Sequence, residues 1–243
     1  MTATLDHYCF PQPSESNCFL WRYVSIPRFQ ELIESRSLYF ARANKLGDPF
    51  EGSVAMPNIS QRPEYFSKTA IEQMTQIYEM MLHWSYVNCW HRSKHESVAM
   101  WALYGKGSAS VALRTRYNSL AKVLPDEVLL GEVKYVDYKT YWVPEDNALY
   151  PLMHKREAYK HEQEVRALIL RLPPGKPDDG VDLSKVKTPL GLTVEVDLNG
   201  LLDCITLSPD MTARDEDIVT TVLETNGFDI SVERSALEDS PVF

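Results

Sequence analysis

The chain has 243 residues, of which 44% are hydrophobic and 24% are charged, and its net charge is −9 at pH 7. This composition excludes an intrinsically disordered protein, and no window has the roughly 18 uncharged apolar residues that a membrane span requires. The N-terminus lacks a basic region followed by an apolar run, so we expect a cytoplasmic protein. The acidic balance also makes general binding of nucleic acid unfavourable.

The first part of the sequence predicts a strand, a helix and a second strand. Residues 19–24 and 37–41 are rich in aromatic and β-branched side chains, which favour strands. Between them, Ser25 and Pro27 predict the start of a short helix. The Gly47-Asp48-Pro49 sequence then predicts a rigid turn, in a loop that is suited to ligand contacts.

The middle of the chain continues this alternation. Residues 64–84 carry apolar side chains at helical spacing and predict an amphipathic helix whose methionines fill the core. Further strands are predicted at residues 86–90, 108–114 and 129–138, and further helices at 97–104, 117–124 and 151–160.

Residues 155–172 are the most informative segment, because charged sequence runs directly into a predicted buried strand. Side chains two residues apart on a strand share a face, so Glu162, Glu164 and Arg166 are predicted to project together. Burying such groups is costly unless they pair or bind a ligand, which makes these three the candidate catalytic residues. The alternative is a solvated ladder of ion pairs on an edge strand.

The last section of the chain is acidic. From Lys176 onward it has 15 acidic and five basic residues. From about residue 181 the pattern predicts β-β-α-β: strands at 192–196 and 202–207, a helix opening at Thr212 and a strand at 228–232. The irregular strand spacing predicts an α+β fold over residues 1–243 as a single domain, with mixed sheets and interleaved short helices. Two small sheets around a cleft are one such arrangement.

Common cofactor motifs are absent from the sequence. It contains no GxGxxG, GxxxxGK[ST] or GxSxG pattern. Cys89, His91 and His95 lie close together but lack a second ligand pair at zinc-site spacing, so no metal is expected. The four cysteines have no CxxC spacing and predict reduced thiols.

Five short motifs together resemble an uncharacterised bacterial family, domain of unknown function 2971, over about residues 20–237. They are Leu20-Trp21-Arg22-Tyr23, Leu38-Tyr39-Phe40-Ala41, Leu46-Gly47-Asp48-Pro49-Phe50-Glu51, Met100-Trp101-xx-Tyr104 and Lys155-xxx-Tyr159-xx-Glu162-x-Glu164-x-Arg166. Gly47 and Tyr159 depart from the pattern of that family, which has asparagine and tryptophan there.

The order of elements is also similar, more remotely, to that of bacterial ADP-ribosyltransferase-like toxins, which bind NAD in a cleft between two small sheets. This resemblance implies NAD as the cofactor, a nucleotide or protein acceptor, and a role in toxicity or phage defence. Arg22 is expected to contact NAD phosphates or ribose, Tyr39 or Trp101 to stack on nicotinamide, and Glu164 to stabilise the cationic ribose or orient the nucleophile. Arg22 and Glu164 are therefore expected to face one cleft. The remaining expected cofactor-binding residues are Tyr23, Asp48, Phe50, Glu51 and Tyr104.

Two other functions stay open. Asp48, Glu162 and Glu164 could ligate magnesium while Arg166 steadies a phosphate, because Glu164-Val165-Arg166 approximates the acid-x-lysine strand motif of one nuclease superfamily. Arginine weakens this match because it does not easily release a proton. In the third hypothesis, the charged strand and the aromatic loop form a non-catalytic surface that binds a protein or a small ligand.

Overall fold

The computed structural model describes residues 2–105, 109–172, 187–239 and 241. Its strands are β1 (Phe19–Ser25), β2 (Ser37–Arg42), β3 (Ser85–Arg92), β4 (Ser110–Arg116), β5 (Leu129–Glu132), β6 (Lys134–Val136), β7 (His154–Arg156), β8 (Glu164–Leu170), β9 (Gly191–Glu195), β10 (Cys204–Leu207) and β11 (Val232–Arg234). Its α-helices are α1 (Ile26–Ser35), α2 (Met56–Tyr65), α3 (Lys68–Trp84), α4 (Val98–Tyr104), α5 (Tyr117–Val123), α6 (Leu198–Leu201) and α7 (Ala213–Thr225).

Nine of these strands form one large sheet in the order β11-β10-β4-β1-β3-β2-β9, with β8 also paired to β3 and β5 paired to β8. Among the described strands of this sheet, the β10–β11 pair is parallel and the other pairs are antiparallel. β6 and β7 form a separate small sheet. The α+β fold class is therefore confirmed, and the acidic C-terminal section contributes β9, β10 and β11 to the large sheet.

The large sheet is split in the middle of β3. β1 pairs with β3 only through Leu20 and Trp21, opposite Arg92 and His91. At the other end of β3, residues 86 and 87 pair with residues 42 and 41 of β2. Residues 88–90 of β3 therefore have a strand neighbour on the β8 side, while β1 and β2 diverge on the other side.

The main hydrophobic core lies between one face of the sheet and helices α1, α5, α6 and α7. Val165, Ala167 and Ile169 of β8 enter this core, as the two-residue period of the strand predicts. β8 is buried along almost its whole length because β3 and β5 flank it, so it is an interior strand and the alternative of a solvated ladder on an edge strand is wrong. A second core, which includes Met81 and Leu168, lies on the opposite face.

The predicted helix over residues 64–84 is two helices. Ser67 caps α3 by accepting a hydrogen bond from the Ala70 N–H, and α2 precedes it. The predicted apolar face is only partly covered: Met81 is buried, Ala70, Met74 and Tyr78 are half-buried, and Ile77 is 44% exposed. Periodicity identifies the residues that share a helix face, but only the tertiary structure decides whether that face is covered.

Three other predicted elements differ from the structure. The predicted helix at 151–160 consists of two 3-10 helices, Tyr150–Met153 and Glu157–Glu162, separated by β7, because pairing with β6 overrides helical propensity there. The predicted strand at 129–138 divides into β5 and β6, which belong to different sheets. The predicted strand at 228–232 begins only at Val232.

Other expectations agree with the structure. The Thr212 hydroxyl caps α7 by accepting a hydrogen bond from the Asp215 N–H at 3.3 Å. Ser25 precedes α1 as predicted, although its side chain makes no capping hydrogen bond. All four cysteines are free. In the described part of the chain, every helix is too short or too polar to cross a membrane.

Gly131 in β5 marks a close backbone contact that tests this packing. A Cβ there would lie 2.7 Å from the carbonyl carbon of Phe10, so Gly131→Ala requires the N-terminal segment to move. We expect a loss of about 1–3 kcal/mol in the free energy of unfolding, measured with urea. Gly47→Ala is the matched control, because no atom lies within 4 Å of a Cβ at Gly47. Equal stability of the two variants would contradict this packing.

Candidate functional site

Arg166 is the most completely bonded charged side chain near the predicted catalytic residues. Its guanidinium is fully buried and donates from Nε to Glu164 Oε1 at 2.6 Å and from Nη2 to Glu164 Oε2 at 3.2 Å. It also donates to both carboxylate oxygens of Glu51, at 2.5 and 3.2 Å, and to the Leu152 carbonyl. The guanidinium therefore binds two carboxylates, each through two hydrogen bonds.

Lys155 extends this arrangement to Glu162. Its Nζ lies 2.7 Å from Glu162 Oε2 and 2.7 Å from Glu164 Oε2. The Tyr104 hydroxyl donates to Glu162 Oε1 at 3.2 Å. Glu162 ends a 3-10 helix and does not belong to β8, so Lys155 brings the two glutamates together. We call Glu51, Lys155, Glu162, Glu164 and Arg166 the buried ion network.

The electrostatics of the network favour the charged forms of Glu164 and Lys155. Burial alone raises the pKa of Glu164, but Arg166 and Lys155 outweigh burial and hold that pKa well below its usual value. Burial raises the pKa of Glu51, and Arg166 opposes this rise only in part. Burial acts to lower the pKa of Lys155, yet Glu164 and Glu162 raise it overall. The carboxylates at the centre are thus held by cations that belong to the protein itself.

The predicted loop residues Asp48 and Phe50 lie beside the network. Asp48 Oδ1 accepts the Phe50 N–H at 2.9 Å and the Arg156 Nη2 hydrogen at 2.7 Å. The Arg156 guanidinium lies 4.0 Å from the centre of the Phe50 ring, which is 44% exposed. Asp48 thus closes the predicted turn and anchors it to β7.

Tyr23 on β1 and Trp101 on α4 belong to a separate buried cluster. Their rings meet edge to face with centres 4.8 Å apart. The Tyr23 hydroxyl accepts the Ser97 N–H, and Trp101 Nε1 donates to Glu96. Both rings are buried, so in this structure Trp101 has no open face for the predicted stacking on nicotinamide.

Arg22 and Glu164 lie on opposite faces of the sheet. Glu164 pairs with His91, and His91 pairs with Trp21, so these three side chains share a face. Arg22 follows Trp21 on β1 and points to the other face, where its guanidinium lies 5.9 Å from the Trp90 ring. The prediction that Arg22 and Glu164 face one cleft is therefore wrong. Trp21 is the β1 residue aligned with Glu164, and Arg22 is the next residue along the strand, so its side chain takes the opposite face.

A second location, which we call the Arg22 pocket, lies beside the split in the sheet. Its volume is about 40 Å³, and it is formed by β1, α1, β2 and β9. The polar residues that line it are Arg22, Arg28, Glu31, Ser35, Ser37, Tyr39 and Thr193. Tyr39 is the one other predicted site residue that lies here.

The Arg22 guanidinium is incompletely bonded, in contrast to that of Arg166. Its Nη2 donates to the Tyr39 carbonyl at 3.5 Å, while its Nη1 is buried and has no hydrogen-bond partner among the described residues. No described carboxylate forms an ion pair with Arg22. Burial lowers the pKa of Arg22 to about 10, so the side chain stays charged at neutral pH.

Sequence reasoning did not identify several residues of both locations. Lys155 opens the last of the five sequence motifs, but no sequence pattern predicts that it binds Glu162 and Glu164. Arg28, Glu31 and Thr193 come from α1 and β9 and line the Arg22 pocket. No local pattern marks them, because they meet Arg22 only when β9 pairs with β2 and α1 packs against the sheet.

Comparisons with known proteins were made with family models, curated proteins and solved structures. No protein-family model matches the sequence, so the predicted resemblance to domain of unknown function 2971 stays a prediction. No curated protein matches it either. The structure of Thermus sp. 2.9 DarT in complex with carba-NAD+ is similar over 92% of this chain and 96% of that chain, with 8% identity and a TM-score of 0.39. A similarity of this degree does not assign roles to individual residues.

The described residues do not contain a group of three or more His, Cys, Asp or Glu side chains placed to hold a metal ion. The ligands required by the nuclease hypothesis are bonded to cationic side chains instead. Asp48 binds Arg156, whereas Glu162 and Glu164 bind Lys155.

Replacement of Arg166 tests the structural importance of the buried ion network. Arg166→Met leaves Glu51 and Glu164 buried without their main partner, and we expect a loss of about 3–5 kcal/mol in the free energy of unfolding. Arg166→Lys keeps the charge but cannot form both bidentate pairs, so its stability should fall between those of Arg166→Met and the unmodified protein. Urea titration followed by circular dichroism measures both.

Arg171→Met is the matched control, because Arg171 directly follows β8 and pairs with Glu127 on the surface. Loss of this half-exposed pair should cost less than about 1 kcal/mol. If Arg166→Met were as stable as Arg171→Met, the network would not support the fold.

Proposed function

We propose that this chain binds NAD or a related nucleotide through a phosphate group in the Arg22 pocket, as an ADP-ribosyltransferase-like protein whose acceptor is still to be found. The observation that carries this proposal is the buried Nη1 of Arg22, which has no partner among the described residues and borders a pocket. A half-buried guanidinium whose inaccessible Nη1 has no partner is unfavourable in the free protein, and an anionic ligand would reduce that cost.

The chemistry of the pocket fits a phosphate group. Guanidinium groups bind phosphate oxygens through paired hydrogen bonds, and Arg28 supplies a second cation at the same pocket. A single buried water needs roughly 10–15 Å³. The pocket volume of about 40 Å³ therefore has room for a larger group, of about the size of one phosphate. An open depression along α1 shares Glu31 and Ser35 with the pocket and gives room for the rest of a nucleotide.

ADP-ribosyl transfer also requires a carboxylate near the ribose. Cleavage of the bond between ribose and nicotinamide creates a cationic ribose that a fixed carboxylate stabilises. Glu31 lines the Arg22 pocket and is the carboxylate to test first. In this proposal the predicted catalytic residues Glu162, Glu164 and Arg166 have a structural role, because each is bonded within the buried ion network on the other face.

Calorimetry with NAD, ADP-ribose and inorganic phosphate tests ligand binding directly. We expect the unmodified protein to bind NAD and ADP-ribose, and Arg22→Met to weaken binding by roughly 10- to 100-fold, the loss of a charged hydrogen bond. Without ligand, Arg22→Met should be as stable as the unmodified protein or more stable, because it removes a half-buried cation that has no carboxylate partner.

Arg116→Met is the matched control, since Arg116 lies on β4 with its side chain near Phe19 on the opposite face. It should leave NAD binding unchanged. Release of nicotinamide separates an enzyme from a binding protein, and Glu31→Gln should abolish release while binding persists. Absence of NAD and ADP-ribose binding, or equal binding by Arg22→Met, would refute the proposal.

A further inference from the structure

We infer that Gly191 is a positioning residue for the Arg22 pocket, because it provides the space in which the Tyr39 ring forms part of the pocket wall. This inference rests on the proposed function, since the consequence for a ligand matters only if the pocket binds one. Gly191 lies on β9 and Tyr39 lies on β2, and the two strands are paired.

The contact follows from the register of the two strands. Tyr39 pairs with Thr193, and Gly191 pairs with Ala41, so Gly191 is the diagonal neighbour of Tyr39 on the same face. A Cβ on Gly191 would lie 2.2 Å from both Cζ and Oη of Tyr39, far inside van der Waals contact. Any side chain at position 191 therefore competes for space with the phenol end of this ring.

Movement of the Tyr39 ring would relieve this clash. The Tyr39 carbonyl accepts hydrogen bonds from Asn88 Nδ2 at 3.0 Å and from Arg22 Nη2 at 3.5 Å, which fixes the backbone of β2. The atoms in conflict are the far end of a side chain, so the ring moves and the strand stays in place. Gly191 has no left-handed backbone angle, and its requirement for glycine is therefore one of space.

Movement of the ring changes the pocket because Tyr39 lines it together with Arg22 and Arg28. The Arg28 guanidinium lies 5.8 Å from the Tyr39 ring centre, so the ring also supports the second cation of the pocket. A displaced ring alters both the shape of the opening and the position of Arg28. Gly191 thus acts on a ligand through Tyr39 and without touching the ligand itself.

A double-mutant cycle with NAD measures this indirect action. Gly191→Ala should weaken the affinity for NAD by roughly 5- to 50-fold, within the range of coupling between contacting residues. In a Tyr39→Ala background the same substitution should have no further effect, because the ring with which it competes is gone. Gly47→Ala, a substitution into open space, is the control and should not change affinity.

A second measurement needs no ligand. In protein labelled with fluorotyrosine, the Tyr39 fluorine resonance is the one that disappears in Tyr39→Phe. Gly191→Ala should shift this resonance more than any other, while Gly47→Ala should leave it in place. An unshifted Tyr39 resonance would overturn the positioning role, whatever the ligand.

The two measurements separate the possible failures. If the unmodified protein did not bind NAD, the proposed function would fail and the effect of Gly191 on a ligand would fall with it. If the unmodified protein bound NAD and Gly191→Ala bound equally well, only the positioning role would fail. A loss of affinity that persisted at full size in the Tyr39→Ala background would also overturn it, because Gly191 would then act by another route.

Discussion

The buried Arg166 guanidinium and its two carboxylates are the interaction on which this structure depends. Glu164 lies two residues away on the same strand, whereas Glu51 belongs to the loop that follows β2. Because both carboxylates are nearly inaccessible, burial disfavours their ionised forms, and the guanidinium between them opposes this effect on each. The pairing therefore fixes the loop onto β8, and Asp48 then fixes the same loop to Arg156 of β7.

Arg166 is fully buried and Arg22 is half-buried with an inaccessible Nη1, and the two arginines have opposite bonding. All the hydrogen-bonding positions of Arg166 are used by carboxylates and a carbonyl of the protein, whereas Arg22 Nη1 has no partner among the described residues. A saturated guanidinium supports a fold, and an unsaturated one beside a pocket is suited to an anion. This contrast in bonding, and not the number of charges, is the reason for assigning the ligand to the Arg22 side of the sheet.

The split in the sheet explains why the Arg22 pocket forms beside β1. β8 occupies one edge of β3, and β1 and β2 share the other edge without meeting at its centre. Because β1 and β2 each pair with only one end of β3, the side chains of α1 and β9 reach the space between them. Small residues such as Gly191 then set how the larger ones fill that space.

Local sequence patterns predict most of the strands and helices, and within a strand they predict the face that each side chain takes. The two-residue period of β8 predicted that Glu164 and Arg166 share a face and that Val165 faces the core, because this depends only on the geometry of one strand. Only the tertiary structure decided which residues meet across the chain. Glu51 contacts Arg166, which lies 115 positions further along the chain. The pairing of β9 with β2 brings Gly191 to Tyr39. No local sequence pattern encodes either contact. For the same reason, the expectation that Arg22 and Glu164 share a cleft failed: their relative orientation depends on the register of β1, β3 and β8, and a shift of one residue reverses the face.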